Sequence, residues 1–103
     1  MKEKCKQLYT DEEINRIIFQ GDAYMRVDVH GMSKNKALHF IQGLVLLNNK
    51  DIYTVEVVHG YNRGTAIKDA LASEFQVNRN FELRRDKKNP GITRVVVNQK
   101  KAA

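Results

Sequence analysis

Between Tyr24 and His30 apolar and polar residues alternate: Met25, Val27 and Val29 fall on one side, Tyr24, Arg26, Asp28 and His30 on the other. That period of two marks a half-buried strand. Gly31 breaks it, and Ser33 is placed to cap a helix running to about Leu47. In that helix Ala37, Leu38, Ile41, Leu44 and Val45 form a broad buried face, and Asn48 with Asn49 stops it. A second strand, "YTVEVV" (53–58), follows. From Gly64 or Thr65 another helix begins, turning Ile67, Ala70, Leu71 and Phe75 to the core. Phe81 to Arg85 and Ile92 to Val97 then read as a hairpin across "DKKNPG", with Pro90-Gly91 as its turn signal.

Ahead of these elements, "TDEEINRIIFQ" (10–20) predicts an accessory helix. Thr10 and Glu13 have capping-box spacing, Tyr9 and Ile14 that of a hydrophobic staple, and Ile14, Ile17 and Ile18 form an apolar stripe. Gly21 and Asp22 end it. The expected fold is therefore α/β: a small two-layer sandwich, βαβαββ, with a four-stranded mixed sheet and an extra N-terminal helix. Its first two strands are expected to be parallel, joined by a right-handed crossover. Residues 1–22 are assigned to an N-terminal extension and 23–103 to the domain proper.

A length of 103 residues with 42% hydrophobic content suits one domain with a modest core. No apolar run approaches the length of a membrane span, and "MKEKCKQLYT" lacks the apolar segment of a secretory signal. The single Cys5 has no internal partner and is read as part of a frayed end; a cytoplasmic, monomeric protein is expected. The net charge is +6, distributed unevenly. Residues 1–59 carry eight basic and eight acidic side chains, while residues 60–103 carry ten basic against four acidic and so account for the whole excess. One polyanion-facing side follows, with nucleic acid favoured over a membrane because no basic amphipathic helix accompanies the charge.

Candidate chemistry gathers where two strands end. Asp28 and His30 close the first strand on one face; His59 closes the second, and ligands collect at that edge of such a sheet. The loop "HGYNRG" follows: Gly60 and Gly64 for tight turns, Tyr61 for a base or sugar, Asn62 for a left-handed turn and Arg63 for phosphate oxygens. It is neither a Walker loop nor a dinucleotide fingerprint. Arg84, Arg85, Lys87, Lys88 and Arg94 cluster around the hairpin as a track for a phosphate backbone, whereas His39 reads as surface or half-buried. Each edge residue also has a plain structural reading, with Asp28 bonding backbone and the histidines capping strands.

At these residues the chain resembles the Smr (small MutS-related) domain family. The family's Leu-Asp-Leu-His-Gly motif appears as Val27-Asp28-Val29-His30-Gly31, and its Thr/His-Gly-x-Gly loop as His59-Gly60-Tyr61-Asn62, continued by Arg63-Gly64. Asn62 replaces the second glycine. The closing "PGITRVVV" is similar to the family's last strand, and the match spans roughly residues 24–98. The resemblance implies a fold like that of the C-terminal domain of bacterial translation initiation factor three. It also implies nucleic-acid binding and, in several members, nicking or endonucleolytic cleavage of DNA or RNA. Asp28 and His30 are then implicated in cleavage and the Gly60–Gly64 loop in binding.

In a metal-free cut of RNA, one of His30 and His59 would act as base and the other as acid, with Asp28 orienting and Arg63 stabilising charge. A DNA cut would instead call on a divalent ion, Mg²⁺ or Mn²⁺, at Asp28 and His30; no metal ligand set is assigned. The alternatives are a non-catalytic module for nucleic acid or a ribosomal surface, and an adaptor that binds protein through Ile14, Ile17 and Ile18.

Overall fold

The structure, a computed structural model, describes residues 1–60 and 64–99. Two short helices lead in, α1 (Lys2–Leu8) and α2 (Asp11–Ile14), followed by strands β1 (Ile17–Phe19) and β2 (Tyr24–Asp28). Helix α3 (Lys34–Leu47), strand β3 (Ile52–Val58) and helix α4 (Ala66–Ser73) come next, and β4 (Phe81–Arg85) with β5 (Ile92–Asn98) closes the chain. The strands form one mixed sheet in the order β1-β2-β3-β5-β4; only β2 and β3 are parallel.

The α/β class holds, but among the described residues the sheet has five strands, not four. The capping box forms as expected: Thr10 Oγ1 accepts from the Glu13 backbone N–H, and Glu13 accepts from the Thr10 backbone. The helix it starts nevertheless stops after Ile14. Arg16 accepts from Asp28 N–H at 2.9 Å through its carbonyl, and Ile17, Ile18 and Phe19 then pair with Val27, Arg26 and Met25. Isoleucine and phenylalanine suit a pleated surface, and β2 offered an unpaired edge; that pairing outweighs one turn of helix. Residues 1–8 are likewise ordered as a helix, and Cys5 is fully buried in the core, where a frayed end was expected.

Alternation places the core. Met25, Val27 and Val29, then Tyr53, Val55 and Val57, then Val95 and Val97 all point to the face covered by α3 and α4. There they meet Ala37, Leu38, Phe40, Ile41, Leu44 and Val45 of α3 and Ile67, Ala70 and Leu71 of α4. Each fully buried Val, Leu or Ile contributes about 1.5–3 kcal/mol. Ser33 caps α3 by accepting from Lys36 N–H at 3.3 Å. Buried Asn48 ends it, donating to the Asp22 carbonyl and accepting from Lys50 N–H. Phe75 is buried beyond the end of α4, edge-on to Phe81. No helix among the described residues is long and apolar enough to cross a membrane.

The hairpin turn is built by Asp86, whose Oδ1 accepts from the backbone N–H groups of Lys88 and Asn89, each at 2.8 Å. It folds back onto the end of β3: the Gly91 carbonyl accepts from both His59 N–H (2.9 Å) and Gly60 N–H (3.1 Å). A Cβ on Gly91 would lie 3.1 Å from the Gly60 Cα, backbone against backbone. Gly91→Ala is therefore expected to lower stability by about 1–3 kcal/mol, the usual range for overpacking. Urea unfolding checks this, as a lower midpoint at unchanged slope.

Candidate functional site

Both His-Gly steps turn for the same reason. Gly31 has φ +80° and Gly60 φ +73°, left-handed conformations that disfavour any side chain. Each strand can thus turn sharply as it leaves the sheet. In the parallel register Asp28 lies opposite Val58, and Val29 N–H donates to the Val58 carbonyl at 2.9 Å, so the strands end together. The two turns touch: a Cβ on Gly60 would lie 3.6 Å from His30 Cβ.

Asp28 and His30 form a bonded pair. Asp28 Oδ1 accepts from the His30 backbone N–H at 3.0 Å and from its ring Nδ1. A carboxylate only accepts, so the ring proton belongs on Nδ1, and Nε2 presents a lone pair. The His30 side chain is 69% exposed and Asp28 40%. Their backbone is clamped by Arg16, whose Nη1 donates to the carbonyls of Asp28 (3.1 Å) and His30 (3.3 Å). Arg16 was not among the sequence candidates, because within a helix it would have had no route to those carbonyls.

His59 has a different environment. It is 6% exposed, and both ring nitrogens are occupied: Nδ1 donates to the Gly60 carbonyl at 2.8 Å, and Nε2 accepts from Thr93 Oγ1 at 2.9 Å. That bonding pattern is the neutral ring's. Burial, reinforced by the Lys68 charge, pushes the His59 pKa below its usual 6.5, against a smaller opposing effect of the Gly60 carbonyl. His30 and His59 share a cleft, but only His30 has a nitrogen open to a ligand.

That cleft, of about 610 Å³, is bounded by His30, His59, Gly60, Gly64 and Lys68 with Met32, Val58 and Ile67, and among the described residues no acidic side chain lines it. A second cleft of about 500 Å³ lies on the other side of His30, against Asp28, Arg16, Arg26 and Glu12. Tyr61, Asn62 and Arg63 lie outside the described residues; Gly64, which follows them, has φ +108°. His39 is exposed on α3.

The hairpin cations divide. Arg84 pairs with Glu82, and Arg94 bridges Glu56 (2.9 Å) and Asp86 (2.8 Å), so neither is held ready for phosphate. Arg85, Lys87 and Lys88 are exposed, and the latter two sit in the turn that meets His59 and Gly60. Among the described residues no group of three or more His, Cys, Asp or Glu side chains is placed to hold a metal ion. Asp28 and His30 offer two ligands at most, and Asp28 Oδ1 already serves the His30 ring. The donor set therefore does not fit a divalent centre built from protein ligands.

Comparison with family models, with curated proteins and with solved structures finds no match to this chain.

Since the folded His59 ring binds its proton more weakly than the unfolded one, its contribution to stability is full above about pH 6.5 and falls as pH drops towards the lowered native value. The melting temperature should decline between pH 7.5 and 5.5, and the His59→Gln variant, though less stable, should show a shallower decline. An equal slope in both proteins would contradict this account.

Proposed function

We propose that this chain is a nucleic-acid-binding protein of the Smr class that cleaves RNA, with Asp28 and His30 as its chemical centre. The observation that carries the proposal is the bonded Asp28 and His30 pair, exposed at the shared end of two parallel strands between a cleft lined by Lys68, glycines and apolar side chains and a second, mixed cleft. A carboxylate that fixes one nitrogen of an imidazole and leaves the other free is the arrangement of an oriented general base. The proposed setting is cytoplasmic, which suits the single free Cys5.

In this reading a phosphate rests in the cleft bounded by Lys68, Gly60 and Gly64, and Lys87 and Lys88 extend the attraction along the strand. His30 Nε2 takes the proton of the ribose 2′-hydroxyl. The 2′-oxygen attacks phosphorus, the bond to the 5′-oxygen breaks, and that oxygen takes a proton from water. The products are a 2′,3′-cyclic phosphate and a free 5′-hydroxyl. The protonated imidazole, held by Asp28, returns its proton to solvent. His59 does not serve as the acid; it supports the turn that carries Gly60.

One observation favours the rival reading, a non-catalytic module for structured RNA or a ribosomal surface. Of the two imidazoles at this sheet edge only that of His30 is open to a ligand, so no acid and base partnership is available there.

End-labelled RNA should be cut in excess chelator, leaving cyclic phosphate ends. Asp28→Ala and His30→Ala should each slow cutting by about 10²–10⁴-fold, the range for removing a general base and its support. Binding should stay salt-sensitive, and a 2′-deoxy residue at the cut position should block the reaction. Salt-sensitive binding with no cutting by the unmutated protein would establish the module instead.

A further inference from the structure

The cleft on the far side of His30 differs in chemistry from the one assigned to phosphate. Its walls are Asp28 and His30, its apolar surface Ile18 and Val58, and its rim Glu12, Asn15 and Arg26. Two carboxylates, Glu12 and Asp28, and two guanidiniums, Arg16 and Arg26, line it, so their charges balance and the cleft does not select an anion. Its surface is mostly apolar, but Glu12, Asn15 and Arg26 also line it, so an occupant with polar edges matches it better than a purely nonpolar group. Ile18 is 53% exposed, high for an isoleucine in a strand, and borders the cleft. Arg26 is tied through Nε to Glu56, so its planar guanidinium is held in place with an edge to spare.

A flat, uncharged ring with polar edges fits that combination: apolar contact to Ile18 and Val58, stacking on a guanidinium, and hydrogen bonds at the rim. We infer that this cleft receives one unpaired nucleobase of the strand being cut, and that Glu12 makes guanine the favoured base. The inference rests on the RNA-cleaving reading, since a base in this cleft is attached to the ribose beside His30. Guanine alone among the four bases presents two adjacent donors, N1–H and the N2 amino group, on its pairing edge, and a carboxylate accepts both at once. Uracil presents one donor flanked by two carbonyl oxygens, which a carboxylate repels.

The substrate is thereby oriented. Its phosphate lies on the Lys68 side, its base on the Glu12 side, and the 2′-hydroxyl between them at His30. A duplex cannot enter in this way, because its pairing edges are occupied; the substrate class is single-stranded RNA.

The test is an NMR titration of the isotope-labelled full chain with RNA tetramers that carry 2′-O-methyl groups to prevent cutting, one containing a single guanine and one uracil only. Shifts are expected at the Ile18 and Val58 methyls and the Asn15 side-chain amide, with the guanine tetramer binding about tenfold more tightly, as loss of a charge-assisted hydrogen-bond pair would imply. Glu12→Gln should bring the two affinities together, whereas Ile18→Ala should weaken both. Shifts confined to Gly60, Gly64 and Lys68 would overturn the base site and leave the RNA-binding reading standing. A guanine preference that survives Glu12→Gln would overturn the role of that carboxylate, and no shift anywhere would remove both readings.

Discussion

The register between β2 and β3 is the constraint on which the rest of the molecule depends. Met25 faces Val55 and Val27 faces Val57, so the apolar members of both strands fall on the face that α3 and α4 cover. A shift of one residue would turn the apolar set of a strand to solvent, at a cost no polar contact here could offset. The same register ends the strands together, at Asp28 and Val58, and this brings the turn after His30 against the turn after His59. Core packing and site geometry are thus fixed by one set of backbone hydrogen bonds. The long crossover through α3 makes that pairing non-local, and its closure entropy is recovered from the helix face buried on the sheet.

The outward face of the sheet follows a different logic. Arg26, Glu56, Arg94 and Arg84 lie side by side across four strands, and Glu56 at their centre is only 2% exposed. Burial alone would raise its pKa. The Tyr24 hydroxyl at 2.8 Å, the Arg26 guanidinium and Arg94 outweigh that effect and hold the carboxyl below its usual value. Arg94 is in turn held by Asp86, the residue that shapes the hairpin turn. Arg26 and Arg94 thus tie the sheet and its turn together, while Arg84 is paired with Glu82, so part of the positive charge of the second half is taken up within the fold. Among the described residues, Arg85, Lys87 and Lys88 are exposed at the hairpin and Lys68 borders the cleft; these are the cations on which the proposed anion binding rests.

Much of this was legible in the sequence, because strict alternation at 24–30 and in the closing hairpin admits few other structures. The N-terminal segment was not. Ile14, Ile17 and Ile18 fit a helical stripe, yet Ile17 and Ile18 also fit opposite faces of a strand, and only the open edge of β2 decides between them. The role of Arg16 depended on the same decision. His59 shows another limit: its place at a strand end was visible, but its burial comes from Thr93, which lies 34 residues further along the chain. A chain-local pattern cannot tell a histidine facing solvent from one sealed by a later strand. For Tyr61, Asn62 and Arg63, the sequence reading stands outside the described residues.

For the proposed cleavage, a single open imidazole at this sheet edge changes what the chemistry requires. With two histidines, one can take a proton while the other delivers one, and exposure of either is a disadvantage. With His30 alone, the proton it accepts must leave before the next turnover, and the leaving oxygen needs a proton from elsewhere. In the proposed reaction the 69% exposure of His30 serves both needs, since the ring is open to water. The corresponding loss is electrostatic, because charges near water are screened and each contact to the phosphate is weaker than in a closed site. In that proposal rate would come from orientation: Asp28 fixes the ring, Arg16 fixes the backbone of both residues, and a base held beside them would fix the ribose. Arg16, whose Nη1 donates to the carbonyl oxygens of both residues, thus holds the backbone of the pair while the carboxylate holds its ring.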